Sequence, residues 1–304
     1  MYFLRRLAYM IPLLLVISAV TFWLVRLAPG GPFDKERAPA SPQIRRNLEA
    51  KYHLDEPVWK QYARYISGLA RGDFGPSLKY RDHSVTDIVR QGLPVSMLLG
   101  WLAFGFAMGV GLPLGFITAV RRGKWQDHAG SFFALLTVCI PGFVIAPLLV
   151  LAFTIKWQLL PVALWESPAH AVLPTIALGL FFSGKVARLF REGMLNTMQM
   201  EFITAARAKG IPENTLLLRH AVRLAVLPVV SYAGPMLADL LTGSFVIEFI
   251  FQIPGLGVFF INSALNHDYT MTVGLALLYA TLLIVLNLVV DFAYMLLDPR
   301  VKYE

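Results

Sequence analysis

The 304 residues contain one cysteine, Cys139, which excludes an intramolecular disulfide and any metal site built on several thiolates. No G-x-x-x-x-G-K-[ST] phosphate loop occurs, so the chain is not itself a P-loop ATPase. H-E-x-x-H and G-x-S-x-G are also missing, leaving no zinc-hydrolase or serine-hydrolase constellation. The histidines, His53, His83, His128, His170, His220 and His267, are scattered and form no cluster. Charge is scarce too: Asp, Glu, Lys and Arg make up 15% of the chain, where a soluble domain carries roughly 25%.

What fills the chain instead is apolar. Hydrophobic residues make up 57%, and four runs lack any charged residue: Leu7 to Val25, Val95 to Val120, Ala129 to Ile155 and Thr270 to Val290. About 20 apolar residues cross a bilayer as a helix. Two weaker runs bring the expectation to six spans: Ala171 to Gly184, continuing past Lys185 and Arg188, and Leu224 to Ile247, which contains Asp239. The first span resembles a signal peptide in its basic start, but its long apolar run and the absence of an A-x-A-like site predict an uncleaved anchor. Cys139, beside Ile140-Pro141 in span 3, is expected to serve as a small buried hydrophobe.

The net charge of +8 follows topology. Arg5 and Arg6 precede span 1; Arg121, Arg122 and Lys124 follow span 2; Lys185, Arg188, Arg191, Arg207, Lys209, Arg219 and Arg223 lie around the loop after span 4; Arg300 and Lys302 close the chain. The short loops of the opposite side hold only Lys156. This bias predicts a multi-pass membrane protein with both termini in the cytoplasm, and it removes the need for a nucleic-acid partner.

Three regions follow. Residues 1–27 form the N-terminal end and span 1, 28–93 an extracytoplasmic helical loop domain, and 94–304 a core of spans 2–6. Within the loop, Ser41-Pro42 starts a helix to about Tyr52. Pro57 starts another, with Val58, Trp59, Tyr62, Tyr65, Ile66 and Leu69 at helical spacing and Gly72 at its end. That stripe either packs on the membrane domain or meets an outer partner. Gly105-x-x-x-Gly109 and Gly111-x-x-x-Gly115 in span 2 predict close helix contacts, within the bundle or between subunits.

After span 4 the helix is expected to leave the membrane without stopping, leading into a segment at about 192–222. Phe202 to Lys209 favours helix, Gly210 suits a left-handed cap, and Pro212 with Glu213 suits the next first turn. Ala205, Ala206, Ala208 and Gly210 would leave it narrow enough to enter a groove on another protein; an ordinary basic loop reads equally well from the residues alone. Between spans 5 and 6, Val246 to Gly257 is apolar, broken at Pro254-Gly255, and too short to cross twice, which predicts a re-entrant or surface-lying outer hairpin carrying Glu248, Pro254, Gly255 and Gly257. Asp239 and Asn287 are the polar candidates for a translocation path, with a plain helix–helix hydrogen bond as the alternative for Asp239.

Thr204-Ala205-Ala206-x-x-x-Gly210 resembles the EAA signature of ABC-importer permeases, and R-A-K-G followed by R-H-A is similar to the peptide branch. The same branch is matched by Arg26-Leu27-Ala28-Pro29-Gly30, His53-Leu54-Asp55-Glu56-Pro57, Gly72-Asp73-Phe74-Gly75-Pro76-Ser77, Pro254-Gly255-Leu256-Gly257, Asp268-Tyr269 and Asp298-Pro299-Arg300. The chain looks most like the B-type oligopeptide permeases, with Thr204 in place of the signature's Glu and His220-Ala221-Val222-Arg223 where I-x-L-P is the general pattern.

The resemblance implies an all-α membrane protein of the type I importer kind. It implies a coupling role for Thr204, Ala205, Ala206, Arg207, Lys209, Gly210 and Pro212. It also implies a second permease, two ATPases that carry ATP and Mg, and an outer peptide-binding protein; the chain itself would bind no cofactor and catalyse nothing. Dipeptides, glutathione, nickel chelates or cationic peptides are alternative cargoes, and an ion-coupled secondary transporter is the more remote reading.

Overall fold

A computed structural model describes residues 2–32, 42–80, 83–162, 164–242 and 245–297. Among them the regular structure is helical, with one isolated bridge between Pro76 and Ser84. Long apolar helices form the bundle: α1 (Tyr2–Leu27), α4 (Val85–Val120), α7 (Pro168–Met198) and α14 (Tyr269–Leu297). Two bent pairs supply the other crossings. The helix α5 (Trp125–Cys139) turns through 106° into α6 (Gly142–Leu149) and its π-helical continuation Val150–Lys156. The second pair, bent by 48°, joins Glu213–Ala225 to α11 (Leu227–Leu241). Each bent pair counted as one crossing, the bundle has the six spans expected.

The 106° bend divides the span that the sequence presents as one charge-free run from Ala129 to Ile155. Pro141 has no N–H to donate and disfavours helical geometry at the residue before it, and Ile140 accordingly sits at φ −91°, ψ 120°. Cys139 corrects a second expectation: at this break it is exposed on the outside of the chain, not buried. Span 5 also ends early, because α11 stops at Leu241 and a separate short helix, α12 (Phe245–Ile250), follows.

Tight packing of α4 on α7 fixes the core. A Cβ added at Gly111 would lie 2.7 Å from Val186, and one at Gly115 would lie 2.5 Å from the Ala187 carbonyl oxygen. Gly105 and Gly109, read as a similar pair, face outward with nothing within 4 Å. The two motifs are offset by six residues, which is not a whole number of turns at 3.6 residues each, so they point to different faces.

The outer cap consists of α2 (Pro42–Lys51) and α3 (Val58–Leu69). Tyr62, Tyr65 and Leu69 pack on Phe22, Val273 and Leu277, and the Tyr62 hydroxyl lies 2.8 Å from Ser18 Oγ. The stripe therefore serves internal packing, except for Trp59, which points away at 67% exposure. Gly72 takes φ +79° just past α3, a geometry that glycine adopts without a Cβ clash. Asp268 locks this cap to the bundle. Fully buried, its Oδ2 accepts from Ser77 Oγ at 2.5 Å, Leu78 N at 3.1 Å and Lys79 N at 3.2 Å, while Oδ1 caps the start of α14 through Met271 N at 3.1 Å.

Candidate functional site

The segment after α7 is a helix, a turn and a second helix. Met200 is extended (ψ 147°) and caps α8 (Glu201–Ala208). Gly210 then takes φ +77°, its N–H bonded to the Arg207 carbonyl at 3.0 Å. Pro212 (ψ 138°) opens α9 (Glu213–Thr215), which runs through the π-helical turn Leu216–Ala221 into α10 (Val222–Ala225). Nothing lies within 4 Å of a Cβ at Gly210, so its backbone angle, not crowding inside the chain, calls for glycine.

One face of this segment is welded to the bundle. Ile203 is wholly buried among Leu216, Leu217 and Phe190, with Ala206 and Ile211 against the same cluster. The other face is open: Thr204, Ala205, Ala208, Lys209, Gly210 and Pro212 are all exposed. Ala206, read as part of a free small-residue surface, is half-buried instead, because i and i+3 fall on one side of a helix and Ala206 follows Ile203 inward. Arg207 closes the turn with a bidentate pair to Glu213 (Nε–Oε2 3.1 Å, Nη2–Oε1 2.7 Å). Those hydrogen bonds, and then the opposite charge, raise the Arg207 pKa.

A second clamp holds the same end of the bundle. Asp127, in the first turn of α5, accepts from Arg191 Nε at 2.9 Å and Nη2 at 3.0 Å, from Gly123 N at 3.0 Å and from Ser131 Oγ at 3.2 Å. It ties span 3 to the part of α7 that leads into α8. Reading the sequence did not single out this pair; an acid just before an apolar run, 64 residues from its partner, gives no local signal.

At the opposite end, α12 and α13 (Leu256–Leu265) form a folded hairpin around the Pro254-Gly255 turn. Glu248 lies at its centre, with no exposed area. Its Oε2 accepts from Ser96 Oγ on α4 at 3.0 Å and from Gly257 N at 2.8 Å, and Leu256 N donates to Ser96 Oγ at 3.0 Å. A Cβ at Gly255 would collide with Glu248 Oε2, and one at Gly257 would lie 2.8 Å from the Phe245 Cα. The turn's glycines are thus dictated by the carboxyl they surround. Ser96, the residue that anchors the hairpin to span 2, was not legible in advance.

The polar path candidates separate. Asp239 is exposed on α11, whereas Asn287 is half-buried on α14, and no hydrogen bond joins them. Among the described residues no group of His, Cys, Asp and Glu could hold a metal ion.

Comparison with known proteins bears on the family and the fold. Residues 111–303 match the family described as binding-protein-dependent transport system inner membrane component, and residues 1–97 match its N-terminal companion. The oligopeptide transport system permease protein OppB of Haemophilus influenzae is 42% identical over 98% of this chain and 98% of its own. That of Salmonella typhimurium is 43% identical over 99% of both, and the dipeptide permease DppB of Bacillus subtilis is 42% identical over 99% of this chain and 97% of its own. Among solved structures, a chain of the inward-facing MetNI methionine ABC transporter aligns with a TM-score of 0.56 at 19% identity, covering 71% of this chain and 97% of that one. At that identity the likeness speaks for the fold. The chain belongs to the family of inner membrane components of binding-protein-dependent transport systems.

Proposed function

We propose that this chain is one of two permease subunits of an ATP-driven importer that carries oligopeptides into the cytoplasm. The observation that carries the reading is the identity of 42–43% to oligopeptide permeases over nearly the whole chain. The exposed α8 turn supports it, since it offers a rigid, narrow projection where the chain has no phosphate-binding loop of its own.

In this reading two ATPase subunits bind ATP and Mg, and the turn, through Thr204, Ala205, Ala206, Arg207, Lys209, Gly210 and Pro212, passes their motion to the bundle. The chain itself holds no cofactor. Both termini and α8 face the cytoplasm, as the Lys and Arg bias favours. The 28–93 region and the Glu248–Gly257 hairpin face an extracytoplasmic peptide-binding protein, and residues 94–304 line the path with the second, homologous permease. Dipeptides are a second cargo reading, favoured by the equal identity to the Bacillus subtilis dipeptide permease.

The test is reconstitution in liposomes with candidate ATPases, second permease and binding protein. Peptide uptake and ATP hydrolysis stimulated by loaded binding protein are the expected results. A chain that purifies alone from cells expressing all partners would refute the assembly.

A further inference from the structure

The outward faces of the spans differ in chemistry. On α1 and α5 they carry Leu13, Leu15, Val16, Phe132, Phe133 and Leu136, as contact with lipid requires. On α11 the exposed residues at four-residue spacing read Leu227, Ser231, Pro235 and Asp239. A charged carboxyl in a span is costly against lipid, and such groups line bundle interiors or watered cavities. The Asp239 carboxyl makes no hydrogen bond or ion pair among the described residues, although the backbone carbonyl of Asp239 accepts from Thr242 Oγ1 at 2.9 Å.

From α7, Lys185 reaches the same seam. Its ammonium lies 4.4 Å from the Phe181 ring centroid and 5.8 Å from that of Tyr232. Tyr232 is two turns before Asp239 on α11, a rise of roughly 10 Å along the helix between the residue that contacts Lys185 and the one that carries the carboxyl. Three residues of extended peptide span about that length.

We infer that Asp239 and Lys185 form a subsite in the translocation path for a short zwitterionic peptide, with Asp239 taking the N-terminal ammonium and Lys185 the C-terminal carboxylate. The Tyr232 and Phe181 rings hold Lys185 in place by cation–π contact. The inference rests on the peptide-importer reading and deepens it: recognition continues inside the membrane after the binding protein has released its cargo.

The experiment uses the complete importer in liposomes, with binding protein saturated by trialanine, N-acetyl-trialanine or trialanine amide. D239N should slow trialanine uptake about tenfold and leave N-acetyl-trialanine at the wild-type rate, removing the difference between the two. K185M should give the mirrored pattern, with the amide unaffected. Equal slowing of all three peptides, or wild-type rates throughout, overturns the subsite. Reduced recovery of the second permease with D239N also overturns it, because Asp239 would then be an intersubunit contact. If the wild-type importer moves none of the peptides, the cargo reading itself fails before the variants are compared.

Discussion

Replacing Gly109 and Gly115 separately with alanine puts the helix packing to a direct test. Both lie in α4, both belong to a G-x-x-x-G pair, and each gains the same intrinsic helix preference, about 1 kcal/mol, which cancels in the comparison. Their surroundings do not cancel. At Gly115 the new methyl would lie 2.5 Å from the Ala187 carbonyl oxygen and 3.1 Å from Phe190 Cβ. Carbon and oxygen rest at about 3.3–3.6 Å even in a favourable weak contact, so α7 must retreat by roughly 1 Å. Overpacking of this kind costs about 1–3 kcal/mol. At Gly109 nothing lies within 4 Å, so no such cost arises within the chain. One kcal/mol moves Tm by about 2–4 °C in chains of 150–250 residues, and the two variants should differ by roughly 2–12 °C. The assay is thermal unfolding of the purified single chain in detergent. A G109A variant that loses as much stability as G115A would refute the packing argument. The same substitution at Gly109 destabilising only the assembled importer would mark that face as a contact with another subunit.

Arg191→Met should lower stability by about 2–3 kcal/mol, somewhat below the ~3–5 kcal/mol typical of breaking a fully buried pair, because Arg191 is 30% exposed; adding Asp127→Asn should restore most of the lost Tm. Asp268→Ala takes the acceptor from Ser77 Oγ, Leu78 N and Lys79 N at about 1–3 kcal/mol for each donor left unsatisfied, and trypsin should cut after Lys79 sooner than in the wild type. An unchanged cleavage rate would count against the clamp. Gly210→Val forces a β-branched residue to φ +77°, outside its usual range, so stimulated ATP hydrolysis should be lost while the assembled complex is still recovered; Gly210→Asn, which tolerates that angle, should retain coupling.

The sequence by itself determined what depends on composition and period. Four charge-free runs determined the class, and two weaker runs completed the number of crossings, since backbone polar groups in lipid must be satisfied within helices. Gly210 and Pro212 set the turn after α8 because their backbone restrictions are local. The tertiary structure alone decided everything that depends on which faces meet. It separated Gly111 and Gly115, pressed against α7, from Gly105 and Gly109, which are open. It turned Ala206 inward and Cys139 outward. It also paired Asp127 with Arg191, Asp268 with Ser77 and Glu248 with Ser96, across 64, 191 and 152 residues of chain. No local pattern encodes contacts at such separations; they exist because helices far apart in sequence share a bundle, and each buried carboxyl must find donors there.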